Sequence, residues 1–261
     1  MKLTANGIDI NYIIEGEGPV VTMSHALGCN LTLWEAQAQV LSAHFRVLRY
    51  DIRGHGGTSA PAGPYSLEQM ADDLHGLLTE FGVTATHFVG ISMGGMIGQI
   101  FALKYPSMVR SLVLCSTTSR YPETARSAWT ERIRTVETNG MKPMVEAALE
   151  RWFTAPFREH HQDVMDGVRT MIRGTPPQGY IGCCYAIPTI DVTDRLSEVR
   201  CPALVISGEQ DPGTPVAMAQ EIHAAIPSCE LAILPSASHL CNLEQSEAFN
   251  CALLTFLNKV A

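Results

Sequence analysis

The sequence is poor in positive charge: 18 lysines and arginines stand against 26 aspartates and glutamates, a formal net charge of −8. A net acidic surface does not neutralise a phosphate backbone, so nucleic acid is excluded as the main partner. Nor is there an apolar run near the ~20 residues that span a bilayer. Asn6, Asp9 and Asn11 stand where a signal peptide would need an apolar core, so the chain reads as soluble and cytoplasmic. Paired CxxC spacing is missing too. Cys29, Cys115, Cys183, Cys184, Cys201, Cys229, Cys241 and Cys251 are scattered, and read as small buried hydrophobes in a reducing compartment rather than as a zinc or redox site. With no GxxxxGK phosphate loop and no GxGxxG after a strand, no cofactor is expected.

What is present is apolar residue in quantity, 46% of 261, enough for a large core. Its spacing alternates between two periods. Residues 8–14 alternate apolar and polar as a half-buried strand does, and 20–24 and 46–50 read as short buried strands. Helical spacing marks 31–44 and 66–81, the second opening on Ser66 as N-cap with Gln69 three residues on. A strand at 87–89, a helix at 93–105 stopped by Pro106, and a strand at 109–114 follow. The alternation breaks at 119–195, which is mainly helical, and resumes with strand 203–207, helix 215–226, strand 230–234 and helix 244–257. This order predicts an α/β chain with a mostly parallel central sheet and helices on both faces. The core would be 1–118 and 196–261. Residues 119–195 would form a helical lid over the carboxyl edge of the sheet, where such sheets bind ligands.

The strongest local signal is Gly90-Ile91-Ser92-Met93-Gly94, set between a strand and a helix. A serine on so tight a turn holds its hydroxyl above the sheet, and the helix N-terminus aims amides at a reacting carbonyl. A neutral hydroxyl needs a base, and the base an orienting acid, each from a loop after a later strand. His239 is the expected base and Asp211 its orienter, with Glu209 as the spare carboxylate. The oxyanion donors would be the backbone amides of Met93 and Leu27, with Ala26 as the fallback. His55 reads as a residue that shapes its turn. His160 and His161, taken as neighbours on one helix, diverge too far to share a metal ion. Trp129 and Trp152 are candidates for the substrate pocket, Trp152 being the one more naturally read as packing the lid.

These residues resemble the α/β-hydrolase superfamily over essentially the whole chain, including the Asp51-Ile52-Arg53-Gly54-His55-Gly56 loop. Within it the chain is most similar to 3-oxoadipate enol-lactonases, through Leu48-Arg49-Tyr50-Asp51, Gly90 to Gly95, Arg151-Trp152-Phe153-Thr154, Pro202 to Gly208 and Ala237-Ser238-His239. The resemblance implies triad roles for Ser92, Asp211 and His239. It puts the family's lid tryptophan at Trp129 with a basic partner at Arg132, and it implies a place in aromatic catabolism. The expected substrate is a small ester or lactone, most simply a carboxylated lactone opened through an acyl-serine. Arg132, or second Arg151, would meet the carboxylate. Two stretches depart from those lactonases. Ser24-His25-Ala26-Leu27-Gly28 stands where Asn-Ser-Leu-Gly is expected, and Gly182-Cys183-Cys184-Tyr185 matches only in part. A general carboxylesterase, a lactamase, a C–C bond hydrolase and a non-enzymatic ligand receptor therefore remain alternatives.

Overall fold

The computed structural model describes all 261 residues. Its strands are β1 (Lys2–Ala5), β2 (Ile8–Glu15), β3 (Val20–Ser24), β4 (Arg46–Tyr50), β5 (Thr86–Ile91), β6 (Val109–Cys115), β7 (Ala203–Gly208) and β8 (Cys229–Leu234). They form one sheet in the order β1-β2-β4-β3-β5-β6-β7-β8. β2 pairs antiparallel with β1 and with β4, and every other pairing is parallel. The central strands β5 and β7 are buried at every position, as parallel strands covered on both faces must be. Toward the edge, β2 keeps an alternating pattern.

Helices α1 (Glu35–Leu41), α2 (Leu67–Glu80) and α3 (Met93–Lys104) belong to the first half. Between β6 and β7 come α4 (Arg126–Asn139), α5 (Lys142–Trp152), α6 (Ala155–His160), α7 (Gln162–Gly174) and α8 (Pro177–Ala186). The chain closes with α9 (Val216–Ala225), α10 (Cys241–Glu244) and α11 (Ser246–Val260). Ser66 caps α2 by accepting the Gln69 N–H at 3.1 Å, as the sequence signal predicts. α3 is buried almost throughout, with Ile97 and Phe101 fully covered, and side chains of that size contribute about 1.5–3 kcal/mol each on burial.

Three elements differ from the sequence reading. β1 was not expected. It returns to β2 through Asn6 and Gly7, both at positive φ (48° and 78°), the geometry of a tight hairpin turn. The helix expected over 31–44 is a 3₁₀ turn (Leu31–Trp34) leading into α1, which ends at Leu41. The helix expected from 244 begins earlier and is broken, because Gln245 leaves helical backbone (φ −126°, ψ 53°) between α10 and α11.

Two features of topology place the site. β4 lies on one side of β3 and β5 on the other, so the connections leaving β3 and β5 part at their carboxyl ends and open a crevice. The inserted helical segment, for its part, leaves and rejoins the core at one point. There Val192 N–H donates to Ser119 O (2.9 Å), the Ser119 and Thr193 hydroxyls pair (2.7 Å), and Arg120 binds Asp191 and Asp194.

Candidate active site

Ser92 follows β5 directly, and its backbone is forced into φ 55°, ψ −117°, a region that costs a non-glycine residue about 1–3 kcal/mol. Neighbours hold it there. Its N–H donates to Cys115 O (2.9 Å), and its carbonyl accepts from Met96 N–H (3.1 Å) and the Thr117 hydroxyl (2.8 Å). The turn needs room behind it. A Cβ added at Gly94 would lie 2.2 Å from Ser24 O and 2.9 Å from His25 O, at the end of β3. Gly94→Ala is expected to lower stability by about 3 kcal/mol. It should also displace the loop after β3, so urea unfolding and residual activity should fall together.

Asp211 and His239 come from the loops after β7 and β8, and they meet with Nδ1 2.7 Å from Oδ2. Asp211 is 4% exposed. Its Oδ1 accepts Gly213 N–H (2.8 Å) and Thr214 N–H (3.1 Å), and its Oδ2 accepts the Thr214 hydroxyl (2.6 Å). Burial works to raise its pKa, but the His239 charge, the His239 bond and the Thr214 bonds outweigh it and hold the carboxyl below its usual range. An ionised Asp211 only accepts, so the imidazole proton sits on Nδ1 and Nε2 keeps its lone pair. Glu209, the spare carboxylate, is exposed and instead accepts Ser236 N–H at 3.3 Å.

The loop after β3 is held by two buried histidines. His25 Nε2 accepts Ile52 N–H (3.0 Å), so its Nδ1 carries the proton and donates to Ala26 O (2.8 Å). His55 Nε2 accepts Gly28 N–H (2.9 Å), which ties this loop to the one after β4, and its Nδ1 lies 3.3 Å from Arg53 O within the turn it is expected to shape. Burial pushes the two imidazoles down to about 4 and about 3, so both are neutral at physiological pH. The neighbouring Leu27 N–H finds no acceptor in the chain. Met93 N–H is at the first position of α3, where a helix provides no acceptor of its own.

Ser92, His239 and Leu27 line one cavity of about 270 Å³, closed above by Trp129, Arg132, Arg151, Trp152 and Tyr121 of the inserted segment. All four predicted pocket residues or alternates (Trp129, Arg132, Trp152 and Arg151) thus reach it. Trp152 packs against the hydrophobic core, as expected of it, and also lines the cavity, its indole beside the His239 ring (centroids 6.4 Å apart, 26° between planes). The Arg132 guanidinium lies 4.4 Å over the Trp129 ring. Arg169, Arg53 and Arg120 pair with carboxylates, but Arg132 and Arg151 pair with none. Desolvation, and then the Arg132 charge, push the Arg151 pKa down. Two half-buried arginines without a carboxylate partner, facing one small cavity, leave a place for an anion.

Sequence reasoning missed Tyr121, Thr214 and His25. Thr214 lies three residues past Asp211 in a turn-forming run, a signal available in principle; Tyr121 and His25 carry none. The His160–His161 pair straddles the α6–α7 junction rather than sharing a helix, with His161 stacked on Phe157. All eight cysteines are free thiols; five are buried, but Cys251 is exposed.

The alpha/beta hydrolase fold family matches residues 19–246. A 3-oxoadipate enol-lactonase of Acinetobacter baylyi is 35% identical over 96% of this chain and 94% of its own. The crystal structure of an enol-lactonase from Burkholderia xenovorans superposes with a TM-score of 0.96 at 35% identity, covering 99% of this chain and all of that one. A thermophilic esterase from Thermogutta terrifontis, solved with malate bound, superposes at 0.95 with 30% identity over 100% and 98%.

Proposed function

The chain belongs to the alpha/beta hydrolase fold family and is a hydrolase, and from that premise we propose that it opens a small carboxylated lactone through an acyl-serine, as an enol-lactonase does. The observation that carries this reading is a single cavity lined at once by Ser92, by His239 and by two arginines without a carboxylate partner. The first two supply acyl transfer; the arginines select an acid.

In this mechanism His239 Nε2 takes the proton of Ser92 as its Oγ attacks the lactone carbonyl. The carbonyl oxygen, now an anion, is held by the Leu27 and Met93 amides, each worth about 3 kcal/mol to such a transition state. The ring C–O bond then breaks. For an enol-lactone the leaving group is an enolate, which takes the proton from His239 and tautomerises to a ketone. A water molecule gives its proton to His239 and attacks the acyl-serine; the Ser92 Oγ then leaves, takes that proton from His239, and a second carboxylate is released. The residues 119–195 act as the lid that chooses the acyl group. Arg132, stacked on Trp129, and Arg151, beside Trp152, meet the carboxylates of substrate and product. The malate-bound relative, holding a dicarboxylic acid, supports an acid of this class as the ligand.

The test compares a carboxylated enol-lactone with its methyl ester and with neutral aryl esters. A preference of 100-fold or more in kcat/KM for the free acid is expected, and comparable turnover of all three overturns the lactonase reading. Arg132→Met and Arg151→Met are expected to erase most of that preference by raising KM about 10- to 100-fold for the acid alone, the loss of one charge-assisted bond. Because Arg151 is held charged against both desolvation and Arg132, Arg151→Met should unfold at a slightly higher temperature than wild type without ligand. It should then gain less from added malate.

A further inference from the structure

The end of α5 and the loop that carries His239 are joined by a strap of hydrogen bonds. The Ser238 hydroxyl donates to Arg151 O (2.9 Å), and Leu240 N–H donates to Trp152 O (3.1 Å). Glu244 completes the strap. Its Oε1 accepts both the N–H (2.9 Å) and the hydroxyl of Thr154, and its Oε2 accepts Ser238 N–H (2.7 Å). α10 turns the chain back after His239, with Glu244 N–H donating to Leu240 O (3.1 Å), so this carboxyl group ends beneath the residue that precedes the histidine.

Glu244 is 7% exposed, yet no lysine or arginine pairs with it. A buried carboxyl group without a cation is tolerated when donors converge on it, and here three do. An apolar side chain would leave all three donors unsatisfied. A glutamine would satisfy one side and turn an NH₂ group toward a donor on the other.

We propose, resting on the serine-hydrolase reading, that Glu244 is a positioning residue. It sets His239 through Ser238 and holds Arg151 and Trp152 in register with it through Thr154. The base and one wall of the acyl pocket then move as one body. Glu244 touches neither substrate nor imidazole; its effect on rate comes from geometry, where a displacement of about 1 Å in a reacting group costs on the order of 100-fold.

The test uses Glu244→Gln, Thr154→Val and Thr154→Ser in the full chain. Active sites are titrated with a fluorophosphonate, so that rates are expressed per reactive Ser92 and loss of folded protein drops out. Per site, Glu244→Gln is expected to lower kcat on a neutral aryl ester about 10- to 100-fold, with KM for that ester within threefold of wild type. The acid limb of its kcat/KM profile should shift, since the His239–Asp211 contact is altered. Thr154→Val should lower kcat about three- to tenfold, and Thr154→Ser, which keeps the hydroxyl, should restore it. Wild-type kcat per site and an unchanged pH profile in Glu244→Gln overturn the proposal, whatever its melting temperature. Should that variant yield no folded protein, equal per-site rates in Thr154→Val and Thr154→Ser overturn it instead. Failure of the wild type to label would count against the hydrolase reading itself, and is seen before any variant is made.

Discussion

Ser92→Ala is expected to lower kcat by about 10⁵-fold or more, to remove labelling by a fluorophosphonate, and to leave KM for a carboxylated lactone nearly unchanged. The size follows from the mechanism: without the hydroxyl no acyl-enzyme forms, and what survives is the polarisation of a bound carbonyl by the Leu27 and Met93 amides. Binding survives because the arginines and tryptophans of the cavity are untouched. Stability separates two neighbouring variants. Alanine at φ 55° is as strained as serine, so the melting temperature of Ser92→Ala should stay within about 2 °C of wild type. Glycine accepts that backbone freely, so Ser92→Gly should be equally inactive but about 1 kcal/mol more stable. A variant that keeps more than 1% of wild-type kcat in Ser92→Ala, with contamination excluded by labelling, would remove Ser92 from the mechanism.

Asp211→Asn is expected to lower kcat about 10³- to 10⁴-fold at neutral pH. Two amide donors, Gly213 N–H and Thr214 N–H, converge on one oxygen of residue 211, so an asparagine keeps its carbonyl there. Its NH₂ group then faces His239 Nδ1. That nitrogen must accept, the imidazole proton moves to Nε2, and the lone pair that would deprotonate Ser92 is gone. KM should again change little. The variant also has a signature in acid. Asp211 has a folded pKa below its usual value of about 3.9, so its contribution to stability is full above that value and fades as pH falls through the lower, folded one. Asparagine forfeits this contribution at neutral pH, and its unfolding free energy should depend less on pH below about 4. Activity within tenfold of wild type would mean that Asp211 does not orient the base.

Chain order alone brought much of this site within reach. Parallel strands share one carboxyl edge, so a serine after β5, an aspartate after β7 and a histidine after β8 must all face the same crevice. The choice between Glu209 and Asp211 is less visible, because it depends on how Gly208 and Gln210 turn; the structure sends Glu209 to solvent and Asp211 inward. Periodicity tells which face of Trp152 is covered but not by what, and a ring of the histidine loop, far along the chain, covers it. The parts Glu244 and Thr154 play together are invisible for the same reason, being set by contacts across 90 residues. β1 escaped the sequence reading, because four residues make too short a run to show alternation, although the Asn6-Gly7 pair that follows it is a strong hairpin signal.

The stem at Ser119–Thr193 closes the inserted helices onto a single point of the core. A segment whose two ends meet can be exchanged as a cassette, the sheet and its catalytic loops meeting the same pair of termini before and after. A chimaera that inherits a foreign segment between those ends is expected to change the acyl group accepted without rebuilding the strained turn that holds Ser92. The donor sequence must also reproduce the ties beyond the stem: the Thr154 hydroxyl and amide offered to Glu244, the Arg151 and Trp152 carbonyls that accept from the histidine loop, the Gly182 carbonyl that accepts Tyr65 N–H, and the Thr175 hydroxyl that donates to Gly28 O. New specificity in such a chain would come as a graft on a retained rootstock, the graft union two residues wide with a handful of hydrogen-bonded ties beyond it.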